Sequence, residues 1–125
     1  MRLLPVHRGF WWICVFVLLV VLFVASSQAS YVPRRLFTWQ DKVQHFTFFA
    51  IWGFCFHRAI RLESWRSALL WTVIFCAVNG ALDEWHQTFT PGRSGNDPFD
   101  WMADVLGGIF AGLLGALVTP KQSKS

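Results

Sequence analysis

The sequence predicts an all-α fold, an integral membrane four-helix bundle with its N and C termini in the cytoplasm. Apolar residues make up 54% of the 125 residues, and they occur in long runs without the period-two alternation of a half-buried strand. A helix needs roughly 20 mainly apolar residues to cross a bilayer. Four runs approach that length, at residues 10–25, 43–59, 68–82 and 101–119. A soluble domain of this size would have too little polar surface to enclose all four.

The first run allows two interpretations. Basic residues before it and Ser27-Gln28-Ala29 after it are also typical of a cleavable signal peptide. We favour an uncleaved helix, because the run is longer and more aromatic than a typical signal core, and the cleaved form stays an alternative. With flanking residues included, we expect helices at about residues 10–29, 41–60, 67–87 and 98–119 within a single domain of residues 1–125.

The basic residues predict the orientation. With a cytoplasmic N-terminus, four crossings place more of them inside than outside, as the excess of Lys and Arg in cytoplasmic loops requires. The inner group is Arg2, Arg8, Arg58, Arg61, Arg66, Lys121 and Lys124, and the outer group is Arg34, Arg35, Lys42 and Arg93. This distribution serves orientation and lipid contact, and it predicts no nucleic-acid partner. Every acidic residue except Glu63 then faces the extracytoplasmic side.

Polar residues begin the second helix. Asp41, Gln44 and His45 are three and four residues apart, so they share one helical face. Thr38 is expected to cap this helix, and Asp41 in the first turn favours the positive end of the helix dipole. His45 lies one turn deeper, where ionisable groups face the interior of a bundle and have partners.

The third helix ends in a polar segment. Asp83, His86 and Gln87 share a face, while Glu84 points about 100° away. Both acids lie at a helix C-terminus, where negative charge opposes the dipole, so they need a cation, a metal ion or a proton. A salt bridge to Arg93 would satisfy one of them.

The segment before the fourth helix has the residues of a turn followed by a cap. Residues 90–93 (TPGR) suit a type II turn that returns Arg93 towards the membrane. Asp97 then reads as the N-cap and Pro98 as the first helical residue. Asp100 and Asp104 share a face, and Asp104 lies a full turn deeper than any cap.

The fourth helix has small residues at the spacing used for close helix packing. This face is expected to pack within the bundle or to form a homo-oligomer, and its residues are Gly107, Gly108, Ala111, Gly112 and Gly115. The cysteines occur singly in different runs and predict neither a disulfide nor a zinc site.

The outer face carries more carboxylates than cations. Arg93 can hold one carboxylate or one phosphate in a two-point contact. The remaining carboxylates are then solvated, protonated or bound to a divalent cation. A hard cation with oxygen ligands fits better than zinc, because neither cysteine nor a close His pair is present. The acids concerned are Asp41, Asp83, Glu84, Asp97, Asp100 and Asp104.

Three blocks of the outer segment together resemble the signature of the VanZ-like family of small bacterial membrane proteins. They are residues 41–46 (DKVQHF), 83–87 (DEWHQ) with 90–93 (TPGR), and 100–107 (DWMADVLG). The resemblance implies a multi-pass protein of the bacterial plasma (inner) membrane. Its namesake is associated with teicoplanin resistance, which implies a role in the cell envelope and no defined reaction. The candidate site residues implied by position are Asp41, His45, Asp83, Glu84, Gln87, Arg93, Asp100 and Asp104.

Two functions remain open. In the first, the site engages a polar or phosphorylated envelope lipid head group: Arg93 holds the anion, the carboxylates hold a cation, and His45, Asp83 and Glu84 are the candidates for any catalysis. In the second, the cluster is an interhelical network in a non-enzymatic assembly or modulator protein, whose protein partner the sequence does not identify. Ion movement ranks last, because only Asn79 is polar near the midplane.

Overall fold

The computed structural model describes residues 6–28 and 36–119, which form four α-helices and no strand. The helices are α1 (Arg8–Ser26), α2 (Gln40–Ile60), α3 (Trp65–Gln87) and α4 (Pro98–Val118). The all-α prediction is confirmed, and the described helix ends lie within a few residues of the expected ones. The expected end of the first helix at Ala29 lies outside the described residues, as do Arg2, Arg34, Arg35, Lys121 and Lys124.

The first three helices alternate in direction. Arg8 at the start of α1 donates from Nε to the carbonyl oxygen of Ala59 near the end of α2, at 2.8 Å, so α1 and α2 are antiparallel. Ser26 at the end of α1 donates to the carboxylate of Asp83 near the end of α3, so α1 and α3 are parallel. The ends of α1 and α3 therefore lie together with the start of α2.

Helix α4 runs parallel to α2. A Cβ on Gly107 would lie 2.6 Å from the backbone oxygen of Phe46 near the start of α2, and Gly115 lies against His57 near its end. Because these glycines have no side chain, the two backbones approach closely. The start of α4 consequently joins the same end of the bundle as the start of α2.

Three helices are long and apolar enough to cross a membrane. The most apolar windows of α1, α3 and α4 have mean hydropathies of 2.6, 1.3 and 1.8. Helix α2 has 21 residues but is more polar, with Asp41, Lys42 and His45 near its start and His57 and Arg58 near its end. It packs against the three other helices, and both His57 and Arg58 are buried. Neighbouring helices therefore cover polar side chains near the end of α2.

The small-residue face of α4 lies inside the bundle. Gly107 and Gly115 contact α2, while a Cβ on Gly108 would lie 2.7 Å from Cys76 of α3. Gly112 lies against Leu69 of α3, and all four glycines are buried. Packing within the bundle, one of the two outcomes expected of this face, is therefore present. Homo-oligomerisation through the face stays a prediction, and it would require α4 to exchange these contacts for a second copy.

The expected cap of α2 is wrong. The helix begins after Trp39, which makes no side-chain cap hydrogen bond, and Thr38 lies one residue too early. Gln40, the first helical residue, accepts a hydrogen bond through Oε1 from the backbone N–H of Leu36 in the preceding segment, at 2.6 Å. Asp41 does lie in the first turn, as expected.

Candidate functional site

A cavity of about 450 Å³ lies at the end of the bundle where α1 and α3 end and α2 and α4 begin. Leu22, Phe48 and Phe49 give it an apolar wall. Among the candidate site residues, those lining the cavity are Asp41, His45, Asp83, Gln87, Arg93 and Asp100. The other two, Glu84 and Asp104, are buried; Glu84 lies close to His45 and Asp83, and Asp104 pairs with His45. The structure thus collects all eight at one end of the bundle.

Lys42 is surrounded by three carboxylates. Its Nζ lies 2.7 Å from Asp41 Oδ2, 2.8 Å from Asp97 Oδ2 and 2.6 Å from Asp100 Oδ1. The three acids come from the start of α2, the loop before α4 and the first turn of α4. The sequence identified Lys42 only as a nearby cation. Its role as the common partner could not be read from spacing, because it depends on how α2 packs against α4.

Asp97 has two roles, one of them expected. Its Oδ1 accepts hydrogen bonds from the N–H groups of Phe99 and Asp100, at 2.9 and 3.4 Å, which confirms it as the N-cap of α4. Its Oδ2 pairs with the Lys42 ammonium, and this hydrogen bond lowers the pKa of the Asp97 carboxyl below its ordinary value of 3.8. The carboxylate form is therefore favoured in the folded protein.

His45 lies between two carboxylates of α4. Its Nδ1 is 2.8 Å from Asp104 Oδ1, and its Nε2 is 3.6 Å from Asp100 Oδ2. Asp104 has no exposed surface. It fits because Gly80 of α3 has no side chain: a Cβ there would lie 2.6 Å from Asp104 Oδ2. The expectation that His45 would face the interior with a partner is confirmed.

Asp83 is held by neighbours on two helices. It accepts a hydrogen bond from the Ser26 hydroxyl of α1, and its Oδ2 accepts one from Gln87 Nε2 at 2.9 Å. Gln87 lies on the same face one turn later, as the sequence predicted. Ser26 was missed, because the sequence identified Ser27 and its neighbours only as part of a signal-peptide pattern. Its burial at the end of α1 shows only once α1 is packed against α3.

Glu84 reaches the loop before α4 and is also buried. Its Oε2 accepts from the backbone N–H of Asp97 at 2.8 Å, and its own carbonyl accepts from Asn96 N–H at 3.4 Å. Its Oε1 is buried and has no hydrogen-bond partner among the described residues. Glu84 was expected to point away from Asp83 around α3. It is nevertheless buried, because the α3–α4 loop folds back over it.

Arg93 occupies the expected turn but has a different partner from the expected one. Its N–H donates to the carbonyl of Thr90 at 3.1 Å, and Gly92 has φ 80°, as a type II turn requires. Its guanidinium donates to the carbonyl of Ala25 at 3.0 Å and, more weakly, to that of Gln28 at 3.5 Å. No carboxylate of the described residues forms an ion pair with it. The expected salt bridge to Asp83 or Glu84 is absent because Arg93 satisfies the free carbonyls at the end of α1.

His86 points away from the acids. Its ring stacks on Phe23 of α1, with centroids 4.9 Å apart and planes 14° apart. It does not line the cavity. Asp83 and Gln87 therefore line the cavity, whereas His86, which was expected to share their face, contacts α1.

Two groups of side chains have the separation needed to hold a metal ion. In each group, ligand atoms lie within 4.8 Å of one another, and the groups are His45 with Asp83 and Glu84, and Asp41 with Asp97 and Asp100. The second group already surrounds the Lys42 ammonium, which meets its need for positive charge. Only the first group offers ligands without a bound cationic side chain among the described residues.

Comparisons of the chain with protein-family models, with characterised proteins and with solved structures give no match.

Proposed function

We propose that the chain is a VanZ-like protein of the bacterial plasma membrane whose cavity binds the head group of an envelope lipid on the extracytoplasmic side. The observation that carries this proposal is the make-up of the cavity wall. Charged side chains such as Asp83 and Arg93 line the same space as Leu22, Phe48 and Phe49. A lipid joins a polar head group to apolar chains, so a cavity wall that combines charged and apolar side chains suits it.

Arg93 is the group best placed to bind an anion. It lines the cavity, and the two carbonyls of α1 use only part of its set of N–H donors. A guanidinium binds phosphate through paired hydrogen bonds, which a lysine ammonium cannot reproduce. The turn at residues 90–93 and the end of α1 together fix the position of Arg93.

The proposed topology has four crossings with both termini in the cytoplasm. The exposed rings of Trp39 and Trp85 lie near the cavity end, and those of Trp65 and Trp71 lie near the opposite end. Indole rings concentrate at both membrane interfaces, so this pair of belts supports four spanning helices. The excess of basic residues at the opposite end supports a cytoplasmic location for that end.

A thermal-unfolding experiment tests head-group binding. Purified protein in neutral detergent is mixed with dihexanoyl phosphatidic acid below its micellar concentration, with dihexanoyl phosphatidylcholine as the comparison lipid. A ligand that binds only the folded state at about 100 times its Kd stabilises by about 2.7 kcal/mol. We expect a rise in Tm with the phosphatidic acid for the natural protein and for Glu63→Gln, whose side chain is exposed at the other end.

Arg93→Lys is the diagnostic variant, because it keeps the charge and loses the paired hydrogen bonds. We expect a smaller Tm rise for Arg93→Lys than for the natural protein. Equal rises in all three proteins, or no rise with either lipid, would contradict the proposal.

A second function is favoured by the connections between helices. Ser26 joins α1 to Asp83 of α3, and His45 joins α2 to Asp104 of α4. Such a network would stabilise a non-enzymatic membrane protein that assembles with, or modulates, another protein. In that case Asp83→Asn would lower Tm and cellular abundance without lipid, because breaking a buried polar network destabilises a protein.

A further inference from the structure

His45 has one ring nitrogen fixed and the other unused. Its Nδ1 lies 2.8 Å from Asp104 Oδ1, and Asp104 is completely buried. Its Nε2 makes no hydrogen bond with a described residue, since Asp100 Oδ2 is 3.6 Å away. A carboxylate bound to one ring nitrogen is the usual support of a histidine metal ligand, because it fixes the tautomer and turns the other nitrogen towards the ion.

Glu84 supplies a second observation that points to a cation. The residue is only 4% exposed. The N–H of Asp97 binds Oε2, while Oε1 is buried with no partner among the described residues. A buried carboxylate oxygen without a partner lowers stability, because it has lost its hydration and gained no hydrogen bond in exchange. A bound cation would remove that penalty.

The third ligand, Asp83, brings the group close to coordination distance. One ligand atom from each of His45, Asp83 and Glu84 lies within 4.8 Å of the others. Bonds of about 2.0–2.2 Å at tetrahedral angles place neighbouring ligands of one ion about 3.4 Å apart, so the side chains have to move inward by about 1 Å to bind it. The oxygens of Asp83 already accept from Ser26 and Gln87, and each has a second lone pair for a metal.

We propose that His45, Asp83 and Glu84 form a binding site for one divalent cation with mixed nitrogen and oxygen ligands, and that Asp104 positions His45. The imidazole of His45 revises the sequence-based preference for a hard cation with oxygen ligands over zinc. One imidazole with two carboxylates suits Mn²⁺ or Zn²⁺ better than Mg²⁺ or Ca²⁺, which prefer oxygen ligands alone. Three protein ligands leave further positions for water or for a phosphate oxygen. The ion's use in head-group binding rests on the function proposed above, whereas its binding does not.

The charge of the cavity gives the ion a role. Asp41, Asp83 and Asp100 line the same space as Arg93. A wall with this excess of carboxylates repels a phosphate, because like charges in a poorly solvated site interact strongly. A divalent cation beside Asp83 would offset that repulsion and bind the phosphate directly.

The test is Mn²⁺ binding to the purified, detergent-solubilised chain after treatment with a chelator and removal of the chelator. The fall in the electron paramagnetic resonance signal of free Mn²⁺ measures occupancy, and Zn²⁺ is then added as a competitor. We expect one Mn²⁺ per chain, displaced by Zn²⁺. Glu84→Gln and His45→Gln should weaken binding at least about tenfold, and Asp104→Asn about 10- to 100-fold.

Two matched controls show whether Mn²⁺ binding depends on His45, Asp83 and Glu84 or on any acidic side chain. Glu63→Gln removes an exposed carboxylate at the other end, and Asp97→Asn removes one from the group around Lys42. Both should bind Mn²⁺ as the natural chain does. Absence of Mn²⁺ and Zn²⁺ binding by the natural chain, or unchanged binding by folded Glu84→Gln and His45→Gln, would overturn the site. If one of these variants fails to fold, the other and Asp83→Asn decide, with each Tm measured without metal.

The two proposals fail in different ways. If phosphatidic acid raises Tm in the presence of a chelator and no Mn²⁺ binds, the metal site is wrong and head-group binding stands. If Mn²⁺ binds in a manner that depends on Glu84 while no lipid changes Tm, the metal site stands and head-group binding is wrong.

Discussion

Asp97 shows how far local sequence reasoning reaches at the scale of one residue. Its capping role follows from Pro98 and the apolar run behind it, and the two hydrogen bonds to Phe99 and Asp100 confirm it. Its pairing with Lys42 links positions 55 residues apart. No spacing rule predicts that pairing, since it arises from the packing of α4 beside α2.

The two roles of Asp97 can be separated by substitution. Asp97→Ala removes both the cap and the charge, and we expect it to lower the free energy of unfolding by about 1 kcal/mol or more. Asp97→Asn keeps a good cap and loses only the partly exposed ion pair, with an expected cost of about 0–1 kcal/mol. Thermal unfolding in detergent measures both. Equal losses would show that capping contributes nothing.

The charge of Asp97 also gives a pH dependence of defined sign. Its pKa is lowered in the folded state by Lys42, so its contribution to stability is fully present above the ordinary value of 3.8 and is lost as the pH falls further. We expect the Tm difference between the natural chain and Asp97→Asn to be present at pH 6 and to shrink below about pH 4. A difference that is constant over this range would contradict the assignment.

At the scale of helix packing, the glycines of α4 predicted a close helix–helix contact. They did not identify α2 as the partner helix. A Cβ on Gly107 would lie 2.6 Å from the backbone oxygen of Phe46 and 2.9 Å from the backbone nitrogen of Ala50. Both neighbours are backbone atoms of a helix, which cannot turn aside as a flexible side chain can. This contact sets the separation of α2 and α4, and thereby the positions of His45 and Asp104.

Gly107→Ala should therefore be destabilising, although alanine has the higher helix propensity. We expect a loss of about 1–3 kcal/mol, typical of inserting a methyl group into a packed interface. Leu106→Ala on the exposed side of the same helix is the control, with an expected change of about 0.5 kcal/mol or less. Reversible unfolding in mixed micelles gives both values, and equal stability of Gly107→Ala and the natural chain would contradict the packing.

The errors of sequence reasoning also belong to the element scale. A carboxylate was one of two partners considered for Arg93, with a phosphate as the other, but its guanidinium binds the carbonyls at the end of α1. Thr38 was expected to cap α2, but the helix begins after Trp39. The Arg93 error comes from assigning partners within a short window, whereas the carbonyls at a helix end also take partners from distant segments. The Thr38 error is a difference of one residue in the start of the helix, which sequence spacing does not resolve.

For the whole molecule, the all-α fold class and the order of the four helices were predictable from the sequence. Long apolar runs determine four helices, and their caps and turns determine most of the helix ends. All eight candidate residues lie together at one end, because a helical chain of this connectivity brings the ends of α1 and α3 beside the starts of α2 and α4. The individual pairings were not predictable, since a rotation of one helix by a few tens of degrees would exchange them.

The proposed orientation can be tested by labelling cysteines with a membrane-impermeant maleimide. Single cysteines are placed at Ser94, beside the cavity, and at Glu63, between α2 and α3, after Cys14, Cys55 and Cys76 are changed to alanine. We expect Ser94→Cys to be labelled on intact spheroplasts and Glu63→Cys only after they are permeabilised. The reverse pattern would place the cavity in the cytoplasm.

Native mass spectrometry of the protein released from lipid nanodiscs tests the central claim most directly. Gln44 lines the cavity and makes no contact in the acidic network, so Gln44→Trp blocks the space and leaves the charges intact. Thr47→Trp, exposed on the same helix and outside the cavity, is the matched control. Head-group binding predicts phospholipid adducts on the natural chain and on Thr47→Trp that are lost from a folded Gln44→Trp. Adducts of equal abundance on all three would contradict it.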